Sequence, residues 1–137
     1  MDHFAKKDVL CEILARLEKM FPDQYNFIPT SFMLPDDFEL LKQYMKAFPS
    51  QTFIAKPSKG KGGKGIFLVK KFADLHKISH LEDFILQKYI ENPLLVNGKK
   101  FDLRVYLVLK SIQPLKVFIC QEGLARFCTV NYKRPDQ

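Results

Sequence analysis

Apolar positions recur at three- and four-residue spacing up to Ser50 and gather into short runs beyond it, so the chain reads as helices followed by sheet. Val9, Leu10, Ile13, Leu14, Leu17, Met20 and Phe21 form the stripe of an amphipathic helix that Pro22 ends. The stretch "YNFIPTSFMLPDD" carries two prolines among scattered aromatics and reads as an extended connector. A second helix follows, capped by Asp36 or Asp37, with Leu40, Leu41, Tyr44, Met45 and Phe48 as its buried stripe and Pro49 as its stop. Then come "TFIAK", "GIFLVK", "DFILQKYI", "FDLRVYLVLK" and "LKVFICQ", all strand-like. Asn97-Gly98 is a hairpin signal because both residues tolerate positive φ, and Pro114 marks another turn. The expected fold is α/β in the α+β sense: a helical and connector region over 1–50 leads into a mainly antiparallel sheet over 51–137.

Chemistry concentrates first in "AKPSKGKGGKGIFLVKK", which packs six lysines and four glycines into seventeen residues without a carboxylate. Gly60, Gly62 and Gly65 have the GxGxxG spacing of a dinucleotide fold, but a β-branched and aromatic run follows them where that fold requires a helix. A P-loop is excluded because Lys64 precedes Gly65 and not Ser or Thr. The order is strand, loop, strand, so the glycines sit at a β-hairpin tip. There their backbone amides approach a ligand that a Cβ would block. A solvated basic hairpin is the bland alternative, and neighbouring residues have to decide.

Alternation along "KKFDLRVYLVL" places Lys100, Asp102 and Arg104 on one face and Phe101, Leu103, Val105, Leu107 and Leu109 on the other, expected to be a core face. Same-face neighbours stand about 7 Å apart, a span that suits a polyphosphate. An exposed, salt-bridged strand face is the competing reading. Lys56 closes the strand before the glycine loop, within reach of a phosphate lying beneath it. Gln87 offers a side-chain amide, and Lys88, Tyr89 and Ile90 offer extended backbone that can pair with a purine edge.

Composition then narrows the partners. The chain of 137 residues fits one domain by length, is 47% apolar, and carries a net charge of +7, which favours an anionic partner. Cys11, Cys120 and Cys128 are odd in number and lack CxxC spacing, so neither a disulfide framework nor a zinc site is indicated. The two later cysteines read as small apolar fillers. No stretch approaches the roughly 18 to 20 apolar residues of a membrane span, and no signal peptide is visible. His76 and His80 stand four apart but lack the glutamate of a HExxH site. Most phenylalanines occupy periodic core positions, which weakens a stacking platform for single strands. A basic nucleic-acid-binding or nucleotide-binding module without catalysis is a further reading, marked by salt-sensitive binding to RNA or DNA without nucleotide competition. A kinase lobe would need HRD and DFG, and neither occurs.

The ordered set "FIAKPSKGKGGKGI", "LQKYIENPLLVNGKKFDLRVYLVL" and "EGLARF" resembles the tubulin tyrosine ligase-like family, whose catalytic domain has the ATP-grasp fold. The resemblance implies a partial ATP-grasp domain in which Lys56 meets the nucleotide phosphates, Gly62 and Gly63 close over them, and Gln87, Lys88, Tyr89 and Ile90 hold adenine. It implies ATP-site roles for Lys100 and Asp102, a place for Arg104 near the transferred phosphate, and an amino-acid or intermediate contact for Arg126. The activity implied is ATP-dependent attachment of glutamate, tyrosine or glycine to tubulin or another acidic protein, in the cytoplasm, at microtubules, and at the cilium or basal body. ATP and Mg²⁺ are the implied cofactors. The family's histidine-leucine-threonine-asparagine segment and its magnesium-holding aspartate, glutamate and asparagine would follow "EGLARFCTVNYKRP". The sequence stops at Gln137, so the expectation is a fragment or shortened product without its main metal ligands, inactive alone, with an exposed apolar face and an unpaired strand edge.

Overall fold

A computed structural model describes residues 6–59, 62–77 and 84–135. The chain divides into two compact units, Met1–Glu91 and Asn92–Gln137.

In the first unit, helix α1 (Lys7–Met20) forms where the apolar stripe predicts it, but no member of that stripe is fully buried. Pro22 both ends α1 and opens the short helix α2 (Pro22–Tyr25), because its fixed φ suits a first helical position. The expected connector holds a strand, β1 (Ser31–Leu34), followed by α3 (Phe38–Ala47). Asp37 occupies the N-cap position of α3, yet its carboxylate accepts the Met33 N–H at 2.7 Å and caps no helical amide. Leu41 and Met45 are the buried stripe of α3, while Leu40 and Phe48 are exposed.

Strands β2 (Phe53–Pro57), β3 (Phe67–Val69) and β4 (Phe84–Lys88) join β1 in an antiparallel sheet of order β1-β4-β2-β3. A 3-10 turn, Phe72–Lys77, follows β3. Register puts Phe32, Leu86 and Ala55 side by side on one face, and α3 covers that face. Phe32, Tyr44 and Phe53 pack there with ring centroids 5.3 to 6.0 Å apart. Period-2 alternation sends Ser31, Ile54, Lys56 and Gln87 to the opposite face.

The second unit holds β5 (Leu95–Val96), β6 (Lys99–Arg104), β7 (Leu107–Ser111), β8 (Lys116–Ile119) and β9 (Leu124–Phe127). Asn97 and Gly98 have φ of 51° and 72° and form the expected tight turn between β5 and β6. The single long strand expected from "FDLRVYLVLK" is instead two. β6 pairs with β9, and β7 pairs with β8. Between the paired positions Arg104↔Leu124 and Leu107↔Ile119, Val105 and Tyr106 face four residues, Cys120 to Gly123; the Cys120 N–H still donates to the Tyr106 carbonyl at 2.9 Å, and beyond that bond the unequal numbers break the ladder.

Alternation therefore does not carry across the break, and the expected core face is not buried. Leu103 is 64% exposed and Leu107 65%, and Val105 and Leu109 are exposed as well. Cys120 and Cys128 are exposed thiols and fill no core. Among the described phenylalanines only Phe32 and Phe53 are buried.

Candidate functional site

Lys56 lies at the end of β2, half-buried, where the chain leaves the sheet for the glycine hairpin. Its Nζ donates to Gln87 Oε1 at 2.8 Å, and Gln87 Nε2 donates to Ser31 Oγ at 2.9 Å. Three adjacent strands thus hold one polar chain, with the lysine at the loop end. Helix α1 meets the same face. Lys7 Nζ donates to the Pro57 carbonyl at 3.0 Å, and the Cys11 thiol lies beside Ser31. Burial pushes the Lys56 ammonium below its ordinary range, nearby Cys11 opposes that shift, and Lys7 adds to it. Burial pushes the Cys11 thiol up, against the pull of Lys56. Strands β2, β3 and β4 are legible in the sequence, but the places of Ser31, Lys7 and Cys11 beside Lys56 are not. The hydrogen bonds concerned join residues 31 to 56 positions apart, and no local spacing signals them.

β2 and β3 pair antiparallel, as a hairpin requires. Gly62, Gly63 and Gly65 all have positive φ, from 64° to 76°. A Cβ at Gly62 or Gly63 would meet nothing within 4 Å, whereas one at Gly65 would come to 3.0 Å from Pro57 Cγ. Gly62 and Gly63 thus leave their backbone open at the tip, and Gly65 allows the return strand to pass Pro57. Gly60, the first glycine of the spacing, and His80 lie outside the described residues. His76 Nδ1 is hydrogen-bonded to the Ala73 carbonyl.

At the end of β4 the Lys88 N–H donates to the Thr30 carbonyl at 2.8 Å and the Tyr89 N–H to the Thr52 carbonyl at 2.9 Å. Both amides are thus committed to the sheet. Ile90 follows, exposed.

The second unit carries the ribbon residues. Asp102 and Arg126 stand directly opposite each other in the β6–β9 register, and Arg104 stands opposite Leu124. Arg126 Nε donates to Asp102 Oδ1 at 3.0 Å and Oδ2 at 3.1 Å, and its Nη2 also meets Oδ2. These hydrogen bonds hold the Asp102 carboxyl below the usual carboxylate range, with the charges of Arg126 and Arg104 adding to the effect, and they raise the Arg126 guanidinium. Lys100 Nζ stands 5.1 Å from the centroid of the Tyr132 ring. Gly123 has no signal in the sequence beyond its place in "EGLARF". A Cβ there would come to 2.6 Å from the Arg104 carbonyl oxygen, so β9 can approach β6 at this point only without a side chain.

The structure therefore assembles Lys56 with Gln87 in the first unit, and Lys100, Asp102, Arg104 and Arg126 on one ribbon in the second. Among the described residues no group of three or more His, Cys, Asp and Glu is placed to hold a metal ion. The ribbon carboxylate of Asp102 is already clasped by a guanidinium, so these residues do not fit a magnesium site. Nor, among the described residues, is any helix long and apolar enough to cross a membrane.

Helices with antiparallel sheets, a positive-φ glycine hairpin rooted at a lysine, and a basic ribbon are the parts of an ATP-grasp type of α/β domain. Comparison with known proteins narrows that class: the chain belongs to the tubulin-tyrosine ligase family, whose family model matches residues 2–137. It is 41% identical over 135 residues to tubulin polyglutamylase TTLL6 of Homo sapiens, covering 98% of this chain and 15% of that protein. Tubulin polyglutamylase TTLL11 of Mus musculus is 39% identical over 144 residues, covering 99% and 20%. Tubulin polyglutamylase ttll-11 of Caenorhabditis elegans is 39% identical over 142 residues, again covering 99% and 20%. The chain thus spans between 15% and 20% of the length of these curated relatives.

Proposed function

We propose that this chain supplies the nucleotide-binding portion of an ATP-dependent ligase that attaches glutamate to tubulin. The family match over residues 2–137 supports the ligase class, and the names of the relatives favour glutamate over tyrosine or glycine. The observation that carries the nucleotide site is Lys56, whose ammonium is held 2.8 Å from Gln87 at the root of the glycine hairpin. A cation half-withdrawn from water beside backbone amides free of Cβ is a setting for phosphate oxygens.

In this reading Gly62 and Gly63 cover the phosphates and Gln87 holds Lys56 in place. A purine edge is met by Ile90 and by the carbonyls of Lys88 and Tyr89, since both of their amides are taken up in the sheet. The reaction transfers the terminal phosphoryl group of ATP to a carboxylate oxygen, giving an acyl phosphate and ADP. An amine nitrogen then attacks the acyl carbon, the amide bond forms, and phosphate leaves. Lys100, Arg104 and Arg126 contribute fixed positive charge of the kind this transfer requires. The acidic tails of tubulin suit a chain of net charge +7, and the microtubule cytoskeleton is the proposed place of action.

The test is binding of a non-hydrolysable ATP analogue to the chain and to Lys56→Ala and Arg104→Ala. Both variants are expected to bind about tenfold more weakly, the scale of one charge-assisted hydrogen bond. Equal affinity in all three rejects the assignment. RNA binding that ATP does not compete away would favour the nucleic-acid alternative.

A further inference from the structure

We propose that Asp102 is a positioning residue: it acts through Arg126, holding that guanidinium in a fixed plane on the β6–β9 ribbon so that its outer edge can receive an oxyanion, and it is not a metal ligand. The inference rests on the ligase reading above and deepens it.

The two residues are register partners on facing strands, so their Cα atoms are set by the ladder and not by chance approach. Arg126 presents one edge, Nε and Nη2, to both carboxylate oxygens. A guanidinium has five N–H donors in a rigid fork, so this contact leaves a second fork, made by Nη1 and the outer side of Nη2. That second edge matches a phosphate or a carboxylate. A free arginine must give up rotamer freedom to bind an anion, whereas one already clasped has lost most of it. Asp102 also sits between Lys100 and Arg104 on its own strand, which makes it a single carboxylate among three cations. Both partners are more than half exposed, with side-chain accessibilities of 56% and 54%, so the pair is not needed to neutralise a buried charge.

The competing view is an ordinary surface ion pair, which holds little stability. The two views differ in the sign of a measurable effect. Asp102→Asn removes one negative charge, so electrostatics alone predicts tighter binding of a polyanion. Positioning predicts weaker binding.

The experiment is calorimetric titration of inorganic tripolyphosphate into the chain at fixed ionic strength, and into Asp102→Asn, Asp102→Glu and Arg126→Lys. Expected are a loss of about tenfold for Asp102→Asn, a similar loss for Arg126→Lys, and partial recovery in Asp102→Glu. The double variant Asp102→Asn, Arg126→Lys is expected to bind no more weakly than either single variant, because both changes break one unit. Equal or tighter binding by Asp102→Asn overturns the proposal while leaving the ligase reading intact. Failure of the unaltered chain to bind tripolyphosphate overturns both. A titration with Mg²⁺ alone, followed at the Asp102 carboxyl carbon by NMR, is expected to give no saturable shift; a saturable shift makes Asp102 a metal ligand and overturns the positioning role. Circular dichroism of each variant checks that the fold is kept.

Discussion

Lys56 shows how one residue carries a cost and a use together. Burial disfavours its charged form, so its folded pKa lies below the ordinary 10.5. The sign of the linkage follows from that direction. Below the folded pKa the ammonium is charged in both states and its burial opposes folding in full. As pH rises from the folded value toward 10.5 the folded state loses its proton first, and stability increases across that window. Cys11 has the opposite sign: its raised folded pKa contributes stability that is present below 9.0 and is lost as pH rises through the folded value. NMR titration of the Lys56 Cε signal is expected to place it below the ordinary 10.5, and in Lys56→Met its part of the pH dependence should vanish. Gly65→Ala is a backbone test: φ of 73° and a 3.0 Å approach to Pro57 predict a loss of about 1 to 2 kcal/mol in thermal unfolding.

At the scale of elements, the same chemistry has different worth according to what covers it. Phe53 is fully buried against the rings of Phe32 and Tyr44, so Phe53→Ala is expected to cost about 3 to 5 kcal/mol. Leu103→Ala, on an exposed strand, is expected to cost well under half of that, and denaturant titration of the two variants compares them. This contrast also explains what is legible in the sequence. The glycine hairpin and the Asn97-Gly98 turn depend on local backbone geometry, which residue type announces. Strand β1 does not: its four residues lie between prolines, and they are strand because β4 pairs with them from beyond the glycine hairpin. The break after Arg104 is equally hidden, since it depends on four residues facing two across the ribbon and not on any breaker within "RVYL". Lys56 and Gln87 are readable as candidates, but their 2.8 Å contact and its Ser31 support come from register.

At the scale of the whole chain, the two units differ in how their apolar residues are used. The first gathers Phe32, Leu34, Leu41, Phe53, Ala55, Val69 and Leu86 into one buried cluster. In the second, Leu107, Val117, Phe118 and Ile119 of the β7–β8 ribbon are all exposed. A two-stranded ribbon without a covering layer is marginal by itself, because its hydrogen bonds exchange with water and its apolar faces contribute little. Strands β2 and β4 stand in the opposite position, since each is flanked on both sides by other strands of a sheet that α3 covers. Hydrogen exchange read by mass spectrometry is therefore expected to show the amides of β7 and β8 exchanging well before those of β2 and β4. If β7 and β8 instead exchange as slowly as β2 and β4 at concentrations where the chain is monomeric, the ribbon has a stability that its own contacts do not explain.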